Sequence, residues 1–164
     1  MRRTFGLIVI ALIVGASVWV AAQSGTSQLE GAWAVQEITF AKPPAFPVNK
    51  PTGLVVFTSR HYSLVLLQDS TRPNFGEGGA AKATADQIRA VWGAAFAANA
   101  GTFTVTGNTI RYTAMVAKNP NVMAQGNFSE DTFTLKGDTL ILTDVRTNNG
   151  PTPNPSTVRL TRVK

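Results

Sequence analysis

The sequence predicts a mainly β fold: an antiparallel up-and-down barrel of about eight strands, with one α-helix over about 84–99 between the third and fourth strands. Three observations carry this expectation. Short runs rich in Val, Ile, Thr, Phe and Tyr recur along the chain, separated by turns containing Gly, Pro and Asn. Two of those turns, Gly107-Asn108 and Gly137-Asp138, are two-residue hairpin signals. Only the segment near 84–99 repeats its apolar residues at helical spacing.

Ahead of the barrel, Met1 to Ala22 reads as a secretory signal helix. Arg2 and Arg3 form the positive start, Leu7 to Val20 the apolar stretch, and Val20-Ala21-Ala22 a site suited to cleavage after Ala22. The alternative is an uncleaved anchor, since about 17–25 apolar residues can cross a bilayer. The expected location is periplasmic or secreted, with membrane contact only through this segment. Residues 23–28 are a polar linker, and the domain spans 29–164.

The first strand runs from Ala32 to about Phe40. Ala41 to Thr52 holds Pro43, Pro44, Pro47 and Pro51, a density that excludes a regular element. Gly53–Thr58 and His61–Leu67 form a hairpin about Ser59-Arg60. Gln68 to Ala83 is a loop. The helix follows, with Thr84 and Gln87 as a capping box and Ile88, Val91, Trp92, Ala95 and Phe96 as one apolar stripe. Asn99 and Gly101 supply its stop. Thr102–Thr106 and Thr109–Ala117 are the next two strands, and Lys118–Asn121 is a turn. Val122–Ser129 and Thr132–Lys136 form either one bulged strand or two. Thr139–Asp144 follows, then a loop over Thr147–Ser156 and a last strand over Thr157–Val163.

Composition narrows the function. The 164 residues suffice for one domain with a core. Only 15% are charged, against about 25% in an average domain. The net charge is +6; without Arg2 and Arg3 the 15 basic residues become 13 against nine acids, or +4. The charges are scattered, so no basic patch points to nucleic acid. The absence of cysteine excludes disulfides, thiolate metal sites, a thiol nucleophile and a lipid-modified cysteine anchor. His61 is the single histidine, so no metal site and no cofactor is expected. No activated nucleophile or phosphate loop is present, and Gly76–Gly79 lacks the required strand and helix context.

The order of short motifs resembles the bacterial lipocalin-like domain family, a calycin-type small β-barrel. The matching residues are Leu29-x-Gly31-x-Trp33, Gly53-Leu54-x-x-Phe57-Thr58 with Tyr62-Ser63, and Arg72-Pro73-x-Phe75. A helix then leads into Ala100-Gly101-x-Phe103, followed by Gly137-Asp138-x-Leu140 and Leu160-Thr161-Arg162. The resemblance covers Leu29 to about Val163. It implies a barrel whose closed end stacks Trp33 under a basic residue of the last strand, Arg159 or Arg162. The chain departs from true lipocalins in placing its helix mid-chain, with no room for one after the last strand.

The expected function is binding of a small apolar or amphipathic molecule in a cavity of roughly 300 Å³ or more with mainly apolar walls. Tyr62 and Tyr112 share strand faces with apolar residues. They either present hydroxyls to such a cavity or reach the rim and water. Phe57 and Phe75 are aromatic candidates within the matching motifs. Arg72 either neutralises a ligand carboxylate or pairs with Asp69. Trp92 and Phe96 either fix the helix to the barrel or line the ligand space. Two other readings remain: a packed barrel that binds partners in the cell envelope, as monomer or homodimer, and a small isomerase- or hydratase-type enzyme using Tyr62, His61 or Asp69.

Overall fold

A computed structural model of the chain describes residues 26–93 and 95–164. The expected signal, Met1–Ala22, lies outside these residues. The strands are β1 (Gly31–Phe40), β2 (Thr52–Phe57), β3 (His61–Leu67), β4 (Phe96–Thr106), β5 (Thr109–Ala117), β6 (Ser129–Lys136), β7 (Thr139–Thr147), β8 (Gly150–Pro151) and β9 (Ser156–Arg162), and helix α1 (Ala85–Trp92) lies between β3 and β4. Each consecutive pair from β1 to β8 is antiparallel, and β9 lies between β7 and β1, antiparallel to both. Eight strands therefore close into a barrel, and the two-residue β8 sits beside β7. Closure leaves no long unpaired strand edge.

Connections alternate between the two ends. The short turns at 58–60, 107–108 and 137–138 gather at one end with the start of β1. The proline-rich connector, the α1 segment, residues 118–128 and residues 148–155 gather at the other. Gly107 and Gly137 take φ of 59° and 56°, the left-handed conformation that a tight hairpin demands. The β2–β3 turn lacks glycine. Thr58 closes it instead, its Oγ1 accepting from the His61 backbone N–H at 3.0 Å.

Alternation along each strand sets the core. Trp33 and Val35 point inward on β1; a bulge at Gln36 then shifts the phase so that Ile38 is buried too. Val55, Phe57, Tyr62, Leu66, Phe103, Ile110, Tyr112, Leu140, Leu142 and Leu160 complete the inner wall. The short-turn end is closed: Leu29 and Trp33 are fully buried, and the Trp33 indole N–H donates to the Leu29 carbonyl at 2.7 Å.

Several boundaries differ from the expectation; β7, for one, runs on to Thr147 instead of stopping at Asp144. The helix stops at Trp92, and Phe96–Asn99 are strand, paired with Leu67–Leu64. At Gly93 the backbone leaves helical geometry, with ψ of −150°. Lys118 then donates to the Gly93 and Phe96 carbonyls, which diverts the chain into β4. The apolar stripe continued past residue 92 only because Phe96 is shared between helical and strand periodicity. The capping box at Thr84 and Gln87 is present. Val122–Phe128 is not strand; Pro120–Met123 forms a 3₁₀ turn, and β6 is one strand with an irregularity between Glu130 and Asp131. The last strand begins one residue earlier than expected and ends at Arg162.

Candidate ligand cavity

Register places four inward polar side chains in one part of the barrel. Tyr62 opposes Gly101 across β3–β4, and Tyr112 opposes Phe103 across β4–β5. Asp131 opposes Ile110 on one side and Asp144 on the other. Both tyrosines are buried, and their rings meet edge-on at 4.8 Å. Phe57 packs against Phe103 at 5.1 Å and Tyr112 at 6.4 Å. The tyrosines thus top a filled aromatic layer.

The two carboxyls are the electrostatic centre of the interior. Burial, then the neighbouring Asp144 charge, pushes Asp131 up to about 7, against a downward pull from the Tyr112 hydroxyl that donates toward it. Burial also raises Asp144, whose Oδ1 accepts from the Thr152 hydroxyl at 2.7 Å. Neither has a salt-bridge partner among the described residues. With no cation nearby, desolvation favours the neutral acid. Burial, followed by the Asp131 charge, lifts Tyr62 to about 12, and the same causes hold Tyr112 well above its ordinary value. Both phenols therefore stay protonated.

A cavity of about 270 Å³ lies over the tyrosines at the loop end of the barrel. Tyr62, Tyr112, Asn99 and Ala114 come from the strands. Asn119, Asn121, Asn127, Asn148 and Asn149 come from the loops that follow β5 and β7. Asn119 Oδ1 accepts from the Asn121 N–H at 3.1 Å, and Asn127 Nδ2 donates to the Asn121 carbonyl at 2.7 Å. These bonds hold the 118–128 loop in shape. The volume falls a little short of the roughly 300 Å³ expected from sequence, and the wall is more polar than the apolar lining expected.

The candidate residues divide into three groups. Phe57, Tyr62 and Tyr112 meet inside the barrel. Arg72, Phe75, Trp92 and Phe96 gather around α1 instead and contribute nothing to this cavity wall. There Arg72 donates to the Val91 carbonyl at 2.5 Å and lies 5.2 Å from the Phe96 ring centroid; it pairs with neither a cavity group nor Asp69. Phe75 meets Trp92 edge-on at 5.2 Å, while Trp92 remains 47% exposed. At the closed end, Arg162 stacks on Trp33 at 4.0 Å, whereas Arg159 pairs with Glu37 at 3.0 Å. Among the described residues no group of three or more His, Asp or Glu side chains is placed to hold a metal ion.

Sequence reasoning missed Asp131, Asp144 and Asn99. The acids were visible in principle. Asp131 alternates with Phe133 and Leu135, and Asp144 with Leu140 and Leu142, so each stands at an apolar-face position. Asn99 was hidden inside the segment assigned to helix.

A family model described as a lipocalin-like domain matches residues 30–161. No curated protein matches the chain.

Proposed function

The chain belongs to the lipocalin-like domain family, and we propose from that premise that it is an exported, non-catalytic binding protein for one small amphipathic molecule. The observation that carries this reading is the 270 Å³ cavity above Tyr62 and Tyr112 at the loop end. Convergent polar groups around an aromatic floor are what orients a small ligand. Export rests on Arg2, Arg3, the apolar stretch to Val20 and the small residues before Gln23. The working location is the periplasm or the medium.

Asp131, titrating near neutrality, is the group an enzyme reading would choose. General acid–base work needs it within about 3 Å of a substrate atom. It is absent from the cavity wall, which presents Tyr112. Binding is therefore the better reading.

One observation favours a partner-binding role as a second reading. Leu54, Val65, Val116 and Met115 are 42–68% exposed on the outer face of β2 to β5. This strip lies on the barrel wall, away from the loop end that holds the cavity.

Native mass spectrometry of residues 23–164 purified from the native periplasm tests the binding reading. A retained small molecule that leaves on denaturation is the expected result. An apo monomer whose melting point no small-molecule extract raises would overturn it, and an apo dimer would favour the wall strip.

A further inference from the structure

The cavity wall carries no formal charge. Its thirteen residues are six asparagines, two tyrosines, Ser129, Thr147, Ala114, Val122 and Phe128. We infer that the ligand presents an uncharged hydroxyl- or carboxamide-bearing end to these asparagines. This rests on the binding reading above and names the class of ligand for the same cavity.

Donor and acceptor balance in the wall selects this class of ligand. Asn119 and Asn127 each commit one end of the amide to the loop. That leaves the Asn119 Nδ2 donor and the Asn127 Oδ1 acceptor. The Asn99 and Asn121 side chains make no hydrogen bond with the described protein groups, so each offers both a donor and an acceptor. Asn99 stands on an inward position of β4, opposite Leu64 and Ala117, where an amide has no packing role that an aliphatic side chain would not fill better. A hydroxyl or carboxamide both donates and accepts and can satisfy such a wall. A carboxylate only accepts and an ammonium only donates, so either leaves half of these groups unpaired.

Charge near the wall singles out neither ion. Inside, Asp131 and Asp144 are both held toward their neutral forms, which weakens any hold on a cation. Against the wall residue Phe128 lie Arg111 and Arg146, 4.1 and 5.7 Å from its ring centroid, with Arg111 already paired to Glu130. An ammonium is the rival, because it would draw on Asp131 from across Tyr112.

Four probes share one phenyl body and differ in the head: 2-phenylethanol, phenylacetamide, phenylacetate and phenethylamine. Each is titrated into the ¹⁵N-labelled domain at about pH 6.5, with the asparagine side-chain amide signals as readout. The two neutral probes should shift the cavity signals and bind about tenfold tighter than either ion, the scale set by leaving a polar wall group unpaired. Asn99→Leu should remove that preference. Asn121→Ala, at an exposed loop position, should weaken the neutral probes in a chain whose fold is unaffected. Phenethylamine binding tightest, and losing its advantage in Asp131→Asn, would overturn the inference and assign the cavity to amines. Equal binding of all four would overturn it by showing that the head is not read. No shift from any probe would also overturn it, while native mass spectrometry decides the binding reading separately.

Discussion

The Arg162 guanidinium lies 4.0 Å from the Trp33 ring centroid and joins the two ends of the folded chain. Its Nη2 donates to the Gln28 carbonyl at 2.9 Å and its Nη1 to the Glu30 carbonyl. One side chain on the last strand therefore holds the segment that leads into the first, directly over the fully buried Trp33. Cation–π contact and charge-assisted hydrogen bonds act together here, so Arg162→Ala should cost about 2–3 kcal/mol. Arg159 makes an exposed pair with Glu37, and Arg159→Ala should cost less than about 1 kcal/mol. Urea denaturation of both variants checks this. Equal losses would show that the stack adds nothing beyond a surface ion pair.

The interior carboxyls make stability fall as pH rises. Asp131 titrates at about 7 in the folded chain, whereas an unfolded aspartate titrates near 4. Between those values the folded state holds a proton that the unfolded state has released. Stability is lost across that window and levels off above about pH 7. Asp144, also raised, acts in the same direction. The groups facing the pair are Tyr62, Tyr112 and Thr152, none of them cationic. Asp131→Asn should flatten the profile and exceed the unmodified protein at about pH 8 by roughly 1–3 kcal/mol. Tyr112→Phe, which removes the donor that pulls Asp131 down, should move its carboxyl titration higher, as read by ¹³C NMR. A urea midpoint that climbs from about pH 5 to 7 would contradict this account.

Strand order and barrel closure were legible because Gly107-Asn108 and Gly137-Asp138 fix two hairpins locally, and alternation fixes the inner face. The same alternation put Tyr62 and Tyr112 on apolar strand faces, and their burial makes those faces the inward ones. What escaped was set by non-local contacts. Lys118 ends α1 from 25 residues away in sequence, which no local propensity encodes. Asp131 pairs with Asp144 in regular register from the Gly137-Asp138 turn, but it lies in the gap between the runs Val122–Ser129 and Thr132–Lys136, where no strand was expected. The asparagine rim is assembled from loops after different strands, so its members share no motif.

Gly101 is irreplaceable for a backbone reason. A Cβ there would lie 2.0 Å from the Thr113 carbonyl oxygen and 2.9 Å from the Ala114 Cα. Both obstacles are main chain of the paired strand, at the bulge where Gly101 meets Ala114. Gly101→Ala must part β4 from β5 just where Tyr62 opposes Gly101, and should cost more than about 2 kcal/mol. Gly107→Ala meets no neighbouring atom and is strained only through its φ of 59°, for a cost near 1 kcal/mol. Thermal melts of the two variants should separate clearly. A mild Gly101→Ala would mean that the bulge can relax without disturbing the pairing.

Lys118 couples the helix to the cavity rim. Its ammonium donates to the Phe96 carbonyl at 2.7 Å and to the Gly93 carbonyl, and it lies 5.6 Å from the Phe96 ring centroid. Burial, with a smaller contribution from Arg72, holds its pKa below the ordinary lysine value. The next residue, Asn119, begins the loop that carries Asn119, Asn121 and Asn127 into the cavity wall. Lys118→Met keeps an apolar stem over Phe96 and removes both hydrogen bonds of the ammonium. Amide exchange across Ala85–Trp92 should then quicken by about tenfold, since a helix this short holds mainly through its tertiary contacts. Affinity for the best-binding neutral probe should fall by about two- to fivefold as the rim loosens, with Asn99 and the tyrosine floor still in place. Faster exchange in α1 with unchanged affinity would show that the helix and the rim move independently.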